Sequence, residues 1–439
     1  MGKIQFSLLM KKCIVIGGGF AGLTSAAYLS KAGIKVELLE ASPKLGGRAY
    51  SFIDKDSGVI VDNGQHIMMG CYKNTLKFFK LIKADSNLIY QKKLKVIFLK
   101  ENFNKVPLET ITTFYPLNLI LAVLNFKAVS FNNRLRLLRF FIKLPFVNPV
   151  RLKNKSVIEW LEEEGQNGLV KKAFWEILAV SALNTNIRKA SAEMFYYILK
   201  EIFLKGNNSA AIVLPKYGLS ETYCEASKNF IEKCGGRINL SEMVSEIKFN
   251  EGEAVEIITD RRNISEFDYL ISAVQLSALN NIRTGINFTQ GLELSYSSIL
   301  SVHVWLKEND FNDRFYGLIN SKLHWIFNHD DHITLVISDA DRYIDKTKEE
   351  IFELIFTELT KFTGLKRDNI ISYKVIKEKR ATFIPDVSVL SKRPNVKTKF
   401  KNFYIAGDWV DTGLPSTIES AVKSGRIAAN KIIDELNSE

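Results

Sequence analysis

The spacing of hydrophobic positions changes several times along the chain, and each change marks an element. Residues 12–16 form a short apolar run rich in β-branched side chains, which predicts a buried strand. Glycines 17, 18, 19 and 22 follow at once. Phe20 to Lys31 then reads as a helix, closed by Gly33 at the left-handed cap position. Ile34 to Glu40 is the next strand, so the first elements make a βαβ unit of about 30 residues. Ser156 and Glu159 have capping-box spacing, which predicts a helix running to Gly165. Helices are expected to dominate from there to about Lys205. Leu219 to Cys234 reads as a further helix, ended by Gly235 and Gly236. Short strands are predicted near 237–240, 243–249, 254–260 and 268–274. The stretch 296–340 reads mainly as strands and 346–362 as a helix. Phe403 to Ala406 reads as a strand and Thr417 to Leu436 as a helix, with a second capping box from Ser416 to Glu419. The chain shows no internal repeat and no low-complexity linker. Nucleotide-type elements lie at both ends and in the middle. This predicts an α/β protein of two domains that interleave along the chain, with a Rossmann-like unit and an α+β unit.

Composition limits the class. With 439 residues, the chain is long enough to bury a large core without disulfides or metals. Apolar residues make up 46% and charged residues 25%, an ordinary globular balance that excludes disordered, collagen-like and coiled-coil proteins. Cys13, Cys71, Cys224 and Cys234 form no C-x-x-C pair, which fits a reduced, cytosolic chain.

Net charge is +12, and its distribution says more than its size. Residues 71–155 carry 17 basic and 3 acidic side chains, whereas the rest of the chain carries 43 and 45. Such asymmetry suggests an anionic membrane surface or a nucleic acid as partner. Phe6 stands where a myristoylation signal needs Ser or Thr. Met10 is a possible true start, with residues 1–9 an upstream extension. Cys13 to Leu29 is interrupted by four glycines and Pro116 to Phe126 is too short, so neither is expected to span a bilayer.

The chemistry-bearing motifs begin with Gly17-Gly18-Gly19-Phe20-Ala21-Gly22, a G-x-G-x-x-G at a strand-to-helix turn. Gly17 permits the tight turn, Gly19 lets backbone approach a pyrophosphate, and Gly22 lets helix and strand pack closely. The helix start then offers N–H groups and a positive dipole end to phosphates. Glu40, 18 residues after Gly22, ends the second strand, where a carboxylate accepts hydrogen bonds from ribose hydroxyls. The alternative is a glycine-rich turn that binds nothing, which strand, turn, helix, strand and acid in register disfavour. Gly46-Gly47-Arg48 follows, with Arg48 available to neutralise a phosphate or to be a solvated loop side chain. Near the end, Gly407-Asp408 follows a strand, and the helix start at Thr417 and Ile418 offers N–H donors to a carbonyl or phosphate.

These residues resemble the flavin-containing amine oxidase and phytoene desaturase superfamily, from about residue 11 to 436. Within it, Asp62-Asn63-Gly64-Gln65-His66 with Gly70-Cys71-Tyr72, Ala182 to Thr185, and Leu414 to Glu419 are similar to the hydroxysqualene dehydroxylases of bacterial hopanoid synthesis. The resemblance implies FAD, held non-covalently since no Cys lies near the C-terminal motif. It implies that Glu40, with Ala41 beside it, meets the adenosine ribose. Arg48, Gly47 and the first turn would meet the pyrophosphate, and Val244 the adenine through its backbone. Gly407 and Asp408 would hold the ribityl or pyrophosphate side, while Thr417 and Ile418 would lie at the pyrimidine. It implies an FAD-binding domain made of 10–70, 212–285 and 395–437, and a substrate and membrane-contact domain made of 71–211 and 286–394. The reaction implied is reduction of hydroxysqualene to squalene, with a nicotinamide, NADH or NADPH, as the external reductant and other squalene-pathway enzymes as neighbours. Rival readings are a phytoene-type desaturase, an amine oxidase and a non-catalytic lipid escort.

Candidate acids are His66, whose ordinary pKa suits proton transfer near neutral pH, Asp62 and Asp411. Asp62 and His66 are expected beside the flavin; the structural alternatives are a backbone-bonded histidine for His66 and a loop-ordering side chain for Asp411. His324, His329 and His332 with Asp330 and Asp331 imitate a metal cluster, but the spacing matches no ligand set and a turn between strands is expected instead. Arg136, Arg139 and Lys143 share a helical stripe, and Leu135, Leu138 and Ile142 another, with Phe140, Phe141 and Phe146 adding apolar bulk. This predicts either a helix lying in an anionic membrane interface, with residues 110–155 as the contact, or a cavity-lining helix with a solvated basic face. The protein is then expected at the inner face of the cytoplasmic membrane. Nucleic acid is not expected, because no recognition module accompanies the charge.

Overall fold

The computed structural model describes residues 11–286 and 291–438; the possible extension, residues 1–9, lies outside the described residues. Its first sheet is wholly parallel, in the order 237–240, 35–40, 12–16, 269–272, 403–405. Strand Lys12–Ile16 lies at its centre, and Cys13, Ile14 and Val15 are fully buried. A strand covered on both faces needs a continuous apolar run rather than an alternating one, and that is what 12–16 provides. Helix α1 (Phe20–Lys31) leaves this strand through the glycine turn and returns the chain to the parallel strand Lys35–Glu40.

The second sheet is mixed and larger, in the order 370–383, 296–306, 333–338, 325–328, 315–318, 95–100, 104–109. The hairpin Lys95–Glu109 at its edge was not predicted. Its side chains are apolar on both faces (Val96 and Phe98 on one, Ile97 and Leu99 on the other), so no period-2 alternation announces it. Helix Lys348–Thr363 covers one face of this sheet. Helix α2 (Lys73–Leu81) packs into the nucleotide-type core, whereas α3 (Leu117–Asn125), α4 (Phe131–Lys143) and α5 (Val157–Glu163) belong to the helical layer on the other face.

The capping box of α5 forms: the Ser156 hydroxyl takes the Glu159 N–H, and the Glu159 carboxylate takes the Ser156 N–H. The second one does not. At the start of α6 (Ile418–Ser438) the Ser416 hydroxyl donates to Asp408. Glu419 turns away from its own helix and caps α2. It accepts from Asn74 N at 2.9 Å, Asn74 Nδ2 at 2.6 Å, Thr75 N at 2.9 Å and Thr75 Oγ1 at 2.7 Å. The sequence spacing was right for a local cap, but a buried foreign helix start outbid the local partner.

Helix α4 also differs from expectation. Its buried side chains are Leu137 and Phe140, because Phe140 wedges between Trp160 and Trp175 at ring-centroid distances of 5.1 and 4.5 Å. Leu135 (45% exposed) and Ile142 (64% exposed) are thus turned outward on the same side as Arg139. Lys143 is not free either: it donates to Glu164 at 2.7 Å. No helix among the described residues is long and apolar enough to cross a membrane.

Helix α6 crosses α1 so closely that a Cβ on Gly425 would stand 2.2 Å from the Ala21 carbonyl oxygen. Ser25 of α1 reinforces the crossing by donating to the Gly425 carbonyl at 3.1 Å.

Candidate active site

One cavity of about 1050 Å³ runs from the glycine turn of the parallel sheet to the inner face of the mixed sheet. Its first half is polar and built from backbone. The turn from strand 12–16 into α1 is held by contact: a Cβ on Gly22 would fall 1.8 Å from the Gly17 carbonyl oxygen, so helix and turn meet only if residue 22 is glycine. The second glycine loop is tied to the first by the Gly46 N–H to Gly18 carbonyl bond of 2.9 Å. Gly17, Gly19, Phe20, Ala21, Gly47 and Arg48 all line the cavity. The Phe20 ring itself turns inward and stacks on Tyr223, 3.8 Å between centroids. Helix α1 has no side-chain cap and no acid in its first turn, so its N–H groups and positive dipole end face the cavity uncompensated. Backbone donors of this kind, in a cradle that any side chain would fill, fit a dinucleotide pyrophosphate.

Glu40 lies at the wall, where its carboxylate accepts from Gly18 N at 2.5 Å and Ser42 N at 2.7 Å. Ala41 beside it is exposed and, like Gly22 and Val244, outside the lining. Val244 sits in strand Val244–Asn250, paired with Thr259.

Arg48 and Asp408 meet across the cavity floor at 2.5 Å, with Arg48 also donating to the Ala381 carbonyl at 2.9 Å. Burial pushes the Asp408 carboxyl up, but the Arg48 charge and the bonds from Ser416 and Arg48 outweigh it and hold it low. The aspartate is therefore ionised, as a partner for a buried guanidinium must be. Gly407, Thr417 and Ile418 continue this wall.

The three predicted acids separate. His66 lines the cavity, and its buried Nε2 has no partner among the described residues. Burial, with the Arg48 charge adding to it, lowers its pKa to about 4, so the imidazole is neutral at pH 7 and is no ready proton donor. Asp62 is a correction. Its carboxyl points away from the cavity and accepts from Ser51 Oγ at 2.7 Å and Leu219 N at 2.9 Å, joining the hairpin 51–62 to the turn before residue 220. Burial raises it to about 6 against those bonds. Asp411 is the second correction. It is exposed, lies outside the lining and, among the described residues, accepts from Gly413 N at 3.1 Å, ordering its own loop.

The second half of the cavity is apolar. It is walled by Val96 and Phe98 of the unpredicted hairpin, Phe174, Ile198, Trp325 and Val336, with Ser181 taking the Trp325 indole N–H at 2.9 Å. Sequence reading missed this wall, because its residues come from distant segments and each looks like ordinary core. It also missed Arg393, which is buried and donates to the carbonyls of Asp408, Trp409 and Leu414, holding the loop behind Asp408 in shape. In Ser391-Lys392-Arg393-Pro394 nothing distinguishes it from a solvated arginine.

The metal look-alike disperses. His324 Nδ1 accepts from Ser338 N at 3.0 Å, His332 bonds Asp331, and His329 stacks on His332. Among the described residues no group of three or more potential ligands is arranged to hold a metal.

A parallel sheet with an uncapped glycine turn, a carboxylate at the end of its second strand and one cavity running on into an apolar wall fit the class of dinucleotide-dependent oxidoreductases. The chain belongs to the flavin-containing amine oxidoreductase family, whose model matches residues 20–433. It is accordingly an FAD-dependent oxidoreductase. Among curated relatives, it is similar to the hydroxysqualene dehydroxylase of Zymomonas mobilis, 26% identical over 95% of this chain and 97% of that one. The hydroxysqualene dehydroxylase of Sinorhizobium fredii is 25% identical over 98% and 100%. The 15-cis-phytoene desaturase of Glycine max is 24% identical over 96% of this chain and 79% of that one. Two solved structures share the fold with TM-scores of 0.73. One is an oxidoreductase from Methanosarcina mazei (18% identity; 95% and 100% covered), the other a putrescine oxidase variant (16%; 97% and 99%).

Proposed function

We propose that the protein removes the allylic hydroxyl of hydroxysqualene, giving squalene. The observation that carries this reading is the single continuous cavity, which joins the dinucleotide cradle to a long apolar wall. The full-length similarity to hydroxysqualene dehydroxylases supports it. When bound, reduced FAD supplies the hydride that replaces the hydroxyl. In the polar half, the uncapped start of α1 and Arg48 would hold the pyrophosphate and Glu40 the adenosine ribose, whereas Ala41 and Val244, expected at the ribose and adenine, lie outside the lining. Asp408 and Gly407 would hold the ribityl chain, and the N–H groups at Thr417 and Ile418 would serve the pyrimidine carbonyls. Residues 11–70, 212–285 and 395–437 would form the FAD-binding unit and most of 71–211 and 291–394 the substrate unit, with α2 packed on the former.

In the apolar half, Phe98, Phe174 and Trp325 exclude water and extend the substrate. His66, neutral and unpartnered, offers its Nε2 to the hydroxyl and orients it; it does not arrive carrying the proton. The exposed apolar side chains Phe114, Leu135, Ile142 and Phe146, set among the basic residues of 110–155, are proposed to rest on an anionic leaflet at the inner face of the cytoplasmic membrane. Tyr115 joins this surface to the cavity, since its hydroxyl donates at 2.8 Å to the carbonyl of Phe203, a lining residue. A nicotinamide is the expected ultimate source of electrons.

The test is anaerobic incubation of the reduced holoprotein with hydroxysqualene, followed by gas chromatography. Squalene should form as the bound flavin reoxidises. Reduced flavin that persists with no squalene sinks the reading. Desaturation, with hydride moving to the flavin, is the second reading, favoured by the similarity to phytoene desaturases. Lipid profiles from a phytoene-producing host separate the two.

A further inference from the structure

Reductive removal of a hydroxyl consumes two electrons per turnover, and no element described so far receives them. Helix α2 presents Lys73, Lys77 and Lys80 at spacings of four and three, which places them on one stripe, and all three are exposed. Among the described residues none of the three has an ion-pair partner. The opposite face carries Thr75, Phe78 and Phe79 into the core, so the stripe cannot turn inward. Lys73 also lines the cavity, as does Lys423 one turn into α6, so the stripe runs outward from the cavity rim. Glu419 clamps the start of α2 to the start of α6, and Ile418 of that same turn lines the cofactor half. The stripe is thus rigidly referenced to the cofactor cradle rather than carried on a loop.

A membrane-resting helix interleaves basic residues with exposed large apolar side chains. Residues 111–150 do so, but no exposed large apolar side chain occurs from 61 to 89. A wholly cationic, rigid face beside a redox cavity suits a soluble partner of opposite charge, where complementary fields steer brief encounters. We propose that α2 is the docking face for an acidic one-electron carrier protein of the iron–sulfur class, which recharges the flavin. Two reduced carriers each give one electron, and two protons from water complete the reduced flavin. That flavin then passes a hydride to the allylic carbon, and the hydroxyl leaves with one proton as water. This inference rests on the proposed reductive function.

The test uses the FAD-loaded full chain, Lys77→Glu/Lys80→Glu and Lys77→Arg/Lys80→Arg variants, and a plant-type [2Fe–2S] ferredoxin as probe. Binding of the oxidised probe, measured by titration calorimetry at low salt, should weaken on the order of tenfold or more in the Glu variant and persist in the Arg variant. The difference should collapse at 0.5 M salt (about), where the Debye length falls to a few ångströms. Anaerobic flavin reduction by reduced ferredoxin should fall in parallel, while reduction by dithionite stays unchanged. Equal binding by wild type and Glu variant overturns the proposal. So does direct reduction by NADPH faster than by the probe, or loss of anionic-vesicle binding in the Glu variant, which would put α2 on a membrane. If dithionite-reduced protein fails to make squalene, the reductive function falls instead, and the calorimetry remains a separate result.

Discussion

Replacing Glu419 with alanine removes an acceptor that serves a helix 345 residues away in sequence. The carboxylate is buried and takes all four of its hydrogen bonds from Asn74 and Thr75, at 2.6 to 2.9 Å. Two of those donors are backbone N–H groups of the first turn of α2, which has no other side-chain cap. A lost cap costs about 0.5–2 kcal/mol, and each buried donor left unpaired costs about 1–3 kcal/mol. Water entering the cavity side recovers part of this, so the expected loss is about 3–5 kcal/mol. Glu419→Gln keeps one carbonyl oxygen and turns the other acceptor into a donor, so it should lose about 1–2 kcal/mol. Urea unfolding followed by tryptophan fluorescence gives the free energies, and absorbance of the purified protein gives its flavin content, which should drop for the alanine variant. A loss under about 1 kcal/mol for Glu419→Ala, or equal losses for the two variants, would refute the argument that this carboxylate holds α2 in place.

All five histidines titrate below their ordinary value because burial disfavours the cation, His66 and His324 to about 4 and His303 to about 3. The unfolded chain then takes up protons first, so stability is complete above about pH 6.5 and falls toward pH 4 by up to about 1.4 kcal/mol per pH unit for each histidine; urea midpoints from pH 7.5 to 5 that stay level or rise would contradict this. Asp62 has the opposite sign: raised to about 6, its contribution is present at acid pH and lost as pH rises through 6. Asp62→Asn keeps an acceptor for Ser51 and Leu219 and should gain about 1–3 kcal/mol at pH 7.5, with turnover intact; collapse of turnover would make Asp62 catalytic after all. Arg48→Met leaves the Asp408 charge buried and unpaired, so the variant should purify without flavin and unfold earlier by about 3 kcal/mol, whereas retained flavin would remove Arg48 from the cofactor site. Arg136→Glu/Arg139→Glu should weaken binding to anionic vesicles by at least about thirtyfold, at about 1 kcal/mol for each charge lost; unchanged sedimentation with vesicles would mean that these arginines are merely solvated.

Where local chemistry decides the outcome, the sequence was readable. The strand at 12–16, helix α1 and the strand at 237–240 fall on the predicted residues, because apolar runs, glycine stops and short β-branched segments act over one or two turns. Family membership was legible for the same reason, the motifs being local and in register. What stayed hidden depends on partners far away in the chain. Glu419 has the spacing of a local cap and serves another helix. Asp62 belongs to a motif yet faces a turn at 219. Which side of α4 faces inward was left open by its pattern, and it is Phe140, wedged between Trp160 and Trp175, that decides it. The hairpin 95–109 is apolar on both sides, so its period could not be read.

The parallel sheet draws its strands from residues 12–16, 35–40, 237–240, 269–272 and 403–405, and α6 closes over α1 at Gly425. During synthesis the glycine turn is therefore made early but cannot be covered until strand Phe403–Ile405 and helix Ile418–Ser438 have left the ribosome. At about 5–20 residues per second, the wait between strand 35–40 and strand 403–405 is roughly 20 to 70 seconds. For that interval the apolar edges of an unfinished sheet stand open to water and to chaperones. Pulse-labelled chains stopped before residue 403 should stay protease-sensitive throughout. Flavin content should therefore report on whether strand 403–405 and α6 have met the glycine turn.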